Sequence, residues 1–160
     1  MRNAFKSLLF LFIIFSTFVP AVAQGQLFSF GNEMVGKPAP DFTLPDLSFQ
    51  KINLTQYRDG KKAFVFIWAT WCPHCRKQLQ ELNGRLDQYE QQGIKILTVD
   101  LGEGKDIVSA YVKKFNINAK VLLDDYLILE EQYHLIGVPT LFVIDEKGIV
   151  TDVRHNLPDL

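Results

Sequence analysis

Residues 64–75, Phe-Val-Phe-Ile-Trp-Ala-Thr-Trp-Cys-Pro-His-Cys, constrain the fold of this chain more than any other stretch. Phe64 to Trp68 is β-branched or aromatic at every position. Such a run, with no polar alternation, suits a strand buried on both faces. Pro73 cannot continue that strand, but its missing N–H is no loss at the first position of a helix. The stretch therefore predicts a strand, a short turn, and a helix with Cys72 at its N-cap and Cys75 one turn inside. That spacing puts both sulfurs on one side of the first turn, close enough for a disulfide after modest adjustment.

The chemistry follows from this placement. A thiolate is the nucleophile of thiol–disulfide exchange, and the free N–H groups and dipole of a helix N-terminus stabilise negative charge. Cys72 is thus expected to be the exposed, low-pKa attacking thiol, and Cys75 the resolving thiol. Pro73 and His74 lie between them, and a protonated His74 would favour the Cys72 thiolate further. The alternatives are a zinc site and a purely structural disulfide. A zinc site would have to recruit His134 and His155, because the chain has only two cysteines. A structural disulfide closing so short a loop would remove little unfolded-state entropy.

Residues 68–75, Trp-Ala-Thr-Trp-Cys-Pro-His-Cys, resemble the active-site segment of the thioredoxin superfamily. Val35 to Leu44, Val-Gly-Lys-Pro-Ala-Pro-Asp-Phe-Thr-Leu, resembles the opening of its exported TlpA/ResA-like branch. Gly137-Val138-Pro139-Thr140 before a final apolar run is similar to that branch as well. The three motifs occur in order across residues 35–153. The resemblance implies an α/β fold, a thioredoxin-like sandwich with a mixed central sheet. It also implies that Pro139 is cis and lies against the cysteine pair, with Trp71, Val138 and Pro139 contacting substrate polypeptide.

The rest of the chain fits one such domain behind a targeting segment. Residues 1–23 carry Arg2, Lys6 and no acid, then an apolar run from Leu8 to Val19 and Ala21-Val22-Ala23. This is the pattern of a secretory signal peptide cleaved after Ala23. The run is short for a membrane span, which needs about 20 residues, so an uncleaved anchor is the lesser expectation. Cleavage would leave 15 basic against 18 acidic residues, a net charge of −3. That balance argues against nucleic acid as a partner. Export implies a periplasmic or similar compartment where disulfides persist. With no cysteines beyond the pair, the pair is read as redox machinery, requiring no metal or organic cofactor.

Residues 24–35 read as a mobile linker and residues 36–160 as the domain. The prolines at 38, 40 and 45 keep the chain extended, and Lys51 to Leu54 alternates as an edge strand. Tyr57 to Lys62 reads as a turn, Pro73 to Gln91 as one amphipathic helix stopped by Gly93, and Ile94 to Val99 as a strand. Gly104 to Asn116 reads as a second helix, Val121 to Leu123 as a short extended segment, and Tyr126 to Tyr133 as a short helix. Thr140 to Ile144 and Ile149 to Val153 form a closing hairpin.

Two departures from the family pattern stand out. Thioredoxins carry a buried carboxylate on the strand before the cysteines, where this chain has Phe66. The ResA-like branch uses a glutamate three residues after the second cysteine, where this chain has Gln78. A buried acid accepts the proton of the resolving thiol. Gln78 can hydrogen-bond but cannot titrate, so Glu81, one turn along, or Glu103 takes that role, or the proton passes through water. The second departure is that only residues 155–160 follow the last strand, too few for the family's usual C-terminal helix. An uncovered apolar sheet face is then expected, with self-association as one way to cover it.

The function this points to is an exported thiol–disulfide oxidoreductase acting on protein disulfides. By resemblance it is a reductase, for example of cytochrome c haem-site cysteines, fed by a membrane thiol donor. A DsbA-like oxidant shares the Cys-Pro-His-Cys sequence. A non-catalytic thioredoxin-like binding module is the reading from another class. A peroxiredoxin would want threonine at position 69, where Ala69 stands.

Overall fold

The structure, a computed structural model, describes residues 32–158. The signal segment and residues 24–31 of the linker lie outside the described residues. The elements run β1 (Thr43–Pro45), β2 (Lys51–Asn53), α1 (Leu54–Arg58), β3 (Ala63–Trp68), α2 (Pro73–Gly84) and α3 (Leu86–Gln91). There follow β4 (Lys95–Leu101), α4 (Lys105–Lys114), β5 (Lys120–Asp124), α5 (Ile128–Gln132), β6 (Thr140–Ile144) and β7 (Val150–Arg154).

All six residues of β3 are buried, and it is the middle strand of a five-stranded sheet ordered β5-β4-β3-β6-β7. Strands β3, β4 and β5 are parallel, whereas β6 and β7 are antiparallel to their neighbours. Alternate side chains of β3 feed two cores, as a strand covered on both faces must. Phe64, Phe66 and Trp68 join Cys75, Leu79 and Leu82 of α2 and Val108 and Tyr111 of α4. Val65 and Ile67 join Leu54 of α1, Leu129 of α5, and Phe42, Leu44 and Met34 from the N-terminal side. Ordered packing therefore reaches back to Met34, inside the segment the sequence assigns to the linker.

Four details differ from the sequence expectation. The helix expected over 73–91 is two helices, broken at Arg85, which has φ −114° and ψ 10°. Asn83 and Gly84 are poor helix formers, and the Asn83 side chain is spent elsewhere. Its amide donates to Asn116 O at 3.1 Å and accepts from Asn118 N at 2.6 Å, fastening the loop after α4. The region expected to be a turn at Tyr57 begins as helix α1, because Asn53 caps it by accepting from Gln56 N at 2.9 Å. The three apolar residues at 121–123 grow into a full parallel strand, so there are two parallel crossovers rather than one.

The expected open apolar sheet face is also absent among the described residues. Leu141 and Val143 on the α2 side of the sheet are buried, and Leu157 packs against the same core. No large apolar side chain of the sheet is among the exposed ones, so the ground for self-association through that face falls away.

Arg58, at the end of α1, is 8% exposed and spans the molecule's other end. One guanidinium nitrogen donates to Lys61 O at 2.9 Å and to Asp145 O at 2.7 Å, tying the loop before β3 to the turn after β6. A hydrogen bond donated by a charged group contributes about 1.5–3 kcal/mol, and less where the accepting carbonyl is only partly buried, as both are here. Arg58→Met is expected to lower stability by roughly 2–3 kcal/mol, read as a lower urea midpoint at unchanged slope. An unchanged midpoint would show that these two bonds do not hold the ends together.

Candidate active site

The sheet topology brings the site together. The C-terminal ends of parallel β3, β4 and β5 lie at one edge, and antiparallel β6 begins there, with Ile67 opposite Thr140. Loops at this edge carry residues 69–72, 102–104, 125–127 and 133–139. A site at the carboxyl ends of parallel strands is where such sheets place their chemistry.

Cys72 is the N-cap of α2, with φ −87° and ψ 109°, and Pro73 follows in the first turn. The Cys75 N–H points at Cys72 Sγ, 3.2 Å away. The two cysteines form a disulfide, with Cα atoms 5.2 Å apart. Cys72 keeps 6% of its surface and Cys75 none, because Cys75 faces the core one turn along. The Val138–Pro139 peptide is cis. The Val138 carbonyl oxygen lies 3.8 Å from Cys72 Sγ, and Trp71 stands 65% exposed beside it.

Of the candidate relay residues, Glu81 is on the outer face of α2, in an ion pair with Arg85 at 2.6 Å. Glu103 reaches the active-site turn. Its carboxylate accepts from Thr70 N at 2.5 Å and from Thr70 Oγ1 at 2.6 Å, just before the cysteines. Gln78 is 4% exposed, with its amide nitrogen 2.7 Å from His74 Nε2 and 2.7 Å from His155 O.

One acid escaped the sequence analysis. Asp100, one residue before the end of β4, is in register with Trp68, on the sheet face that carries α2. It has no exposed surface, and neither carboxylate oxygen has a hydrogen-bond partner among the described residues. Burial, reinforced by the neighbouring Glu103 carboxylate, pushes its pKa up to about 8. The signal available was an acid directly after the apolar Ile94–Val99 run, on a strand adjacent to the one carrying the cysteines.

A thioredoxin-like sheet with a cysteine pair capping its central helix defines a thiol–disulfide oxidoreductase. The sequence model of the AhpC/TSA family matches residues 35–153, and the chain belongs to that family. It is 35% identical over 119 residues to the thiol-disulfide oxidoreductase ResA of Geobacillus thermodenitrificans (strain NG80-2), covering 74% of this chain and 68% of the relative. Against ResA of Bacillus subtilis (strain 168) the figures are 32% over 125 residues, 77% and 69%. Among solved structures, StoA from Bacillus subtilis aligns with TM-score 0.64 at 25% identity, covering 73% of this chain and 88% of that one. A thiol:disulfide interchange protein of the thioredoxin family from Chlorobium tepidum TLS aligns with TM-score 0.66 at 26% identity, covering 76% and 87%. The enzyme is thus of the ResA-like type. No helix among the described residues is long and apolar enough to cross a membrane.

Proposed function

We propose that the protein is an exported reductase of protein disulfides, with Cys72 as attacking thiol and Cys75 as resolving thiol. One observation carries the assignment. Cys72 Sγ sits at the N-cap of α2, 3.2 Å from a backbone N–H, while Cys75 is sealed in the core. Backbone donors and the helix dipole favour a thiolate at the first position and not the second.

The cycle is then balanced. The Cys72 thiolate attacks one sulfur of a substrate disulfide, forming a mixed disulfide and releasing the other substrate sulfur as a thiolate that takes up a proton. Cys75 gives up its proton and attacks Cys72 Sγ, forming the intramolecular disulfide and releasing the second substrate sulfur. Two electrons pass to the substrate, and a thiol donor returns them by the reverse exchange. The Val138 carbonyl beside Cys72 offers a backbone acceptor for an extended substrate strand, and exposed Trp71 an apolar surface. Pro73 and His74 tune the pair. Glu103, through Thr70, is the relay candidate tied to the active-site turn.

Export, and with it a membrane thiol donor, rests on the pattern of residues 1–23. Cytochrome c haem-site cysteines are a substrate class in keeping with the ResA-like type. The sequence Cys-Pro-His-Cys favours the oxidant reading as the second choice, since a histidine between the cysteines would stabilise the reduced form whenever it carried a positive charge.

Equilibration with glutathione followed by thiol alkylation tests direction. The expected potential lies between about −270 mV, the thioredoxin value, and about −120 mV, the DsbA value. His74→Ala should make it more reducing by up to about 30 mV, a tenfold change in the equilibrium constant. A potential at the DsbA end would replace the reductase reading with the oxidant one.

A further inference from the structure

The Gln78 side chain, one turn after Cys75, is wired to both sides of the redox site. Gln78 Nε2 lies 2.7 Å from the His155 carbonyl oxygen and 2.7 Å from His74 Nε2. A carbonyl can only accept, so the amide atom facing it is the NH2 nitrogen and not the oxygen. Turning the amide over would set two acceptor oxygens against each other at that distance. An amide nitrogen has no lone pair to offer, so it donates to His74 as well. His74 Nε2 is therefore the acceptor, and the ring proton sits on Nδ1. The His155 segment is itself held, because its Nδ1 lies 2.8 Å from the Pro139 carbonyl and must donate to it. A chain of three donated bonds thus runs from the Pro139 loop through His155 and Gln78 to the histidine between the cysteines.

We infer that Gln78 is a positioning residue for the exchange reaction: pinned by the His155 carbonyl, its amide holds His74 in the Nδ1–H form and limits the stabilisation that His74 lends to the Cys72 thiolate. This rests on the assignment of Cys72 as the attacking thiol, but the tautomer itself does not. A glutamate at position 78 would do the opposite, since a carboxylate accepts from Nε2–H and would confront the His155 carbonyl.

Imidazole 15N chemical shifts of the oxidised protein near neutral pH test the tautomer without any thiolate present. The expected result is a protonated Nδ1 and a bare Nε2 at His74. In Gln78→Met this signature should give way to that of a solvated ring, and in Gln78→Glu the proton should appear on Nε2. Glutathione equilibration then tests the consequence. Gln78→Met should shift the constant about threefold toward the reduced protein, the size of a partly exposed charge interaction, and a His74→Ala background should abolish that shift. A protonated Nε2 in the unaltered protein, or a Gln78→Met shift that survives without His74, would overturn the proposal. If mixed disulfides form through Cys75 instead, the functional assignment fails while the tautomer result stands.

Discussion

A Cys75→Ser variant is expected to accumulate mixed disulfides with substrates through Cys72, while Cys72→Ser should accumulate none and lose turnover by several orders of magnitude. The expectation follows from the unequal environments of the two sulfurs. Cys72 is more buried than the exposed thiol expected from the sequence, but it keeps 6% of its surface and its Sγ has a backbone N–H at 3.2 Å, whereas Cys75 has no exposed surface and packs with Leu79, Leu82 and Trp68. Exchange requires in-line approach of a thiolate to a sulfur, so a sealed thiol can reach only the one sulfur beside it, that of Cys72. Serine at position 75 leaves the first attack intact and removes only the resolving step. Serine at position 72 removes the first attack, because a hydroxyl at that position has no comparable access to its anion. Mass spectrometry of trapped, alkylated complexes reads both variants. Trapping that requires Cys75 and survives Cys72→Ser would reverse the roles.

The other large effect belongs to Asp100. Its folded pKa, raised to about 8 by burial and by Glu103, stands far above the ordinary 3.8. The folded protein therefore holds a proton that the unfolded chain surrenders between those two values. Stability contributed by this group is fully present below pH 4 and is lost as pH rises toward 8. At about 1.4 kcal/mol per pH unit, the loss across that interval amounts to several kcal/mol. Asp100→Asn keeps the shape and cannot ionise. It should flatten the decline of the urea midpoint between pH 5 and 8 and leave the variant more stable than the parent above pH 7. A midpoint that falls with pH just as steeply in the variant would place the titrating group elsewhere. The same carboxyl lies on the sheet face that carries α2, so its proton is held beside the core that Cys75 shares.

Much of this site was legible along the chain, because its decisive signals are local. An apolar run, a proline and two cysteines in twelve residues dictate strand, turn and capped helix through backbone sterics and the needs of the first helical turn. Resemblance extended that to Pro139 and Val138, sixty-odd residues away, which no periodicity could have joined to Cys72. Helix α1 and the break at Arg85 were missed for different reasons. Asn53 caps α1 through the nearby Gln56 N–H, a local signal that was overlooked, whereas Asn83 bonds to Asn116, 33 residues away, which spacing along the chain does not show.

Tertiary structure alone decided the rest. Only the parallel pairing of β3 with β4 carries Asp100 beside Trp68 and Glu103 to Thr70, and burial there is what changes the acid's charge. Only the return of residues 155–157 along α2 buries Gln78 against a carbonyl and covers the sheet face that a residue count left open. Propensity and sequence spacing act over one or two turns of chain. Desolvation and hydrogen-bond polarity depend on what the fold sets within a few ångströms, and neither has a period that can be read in one dimension.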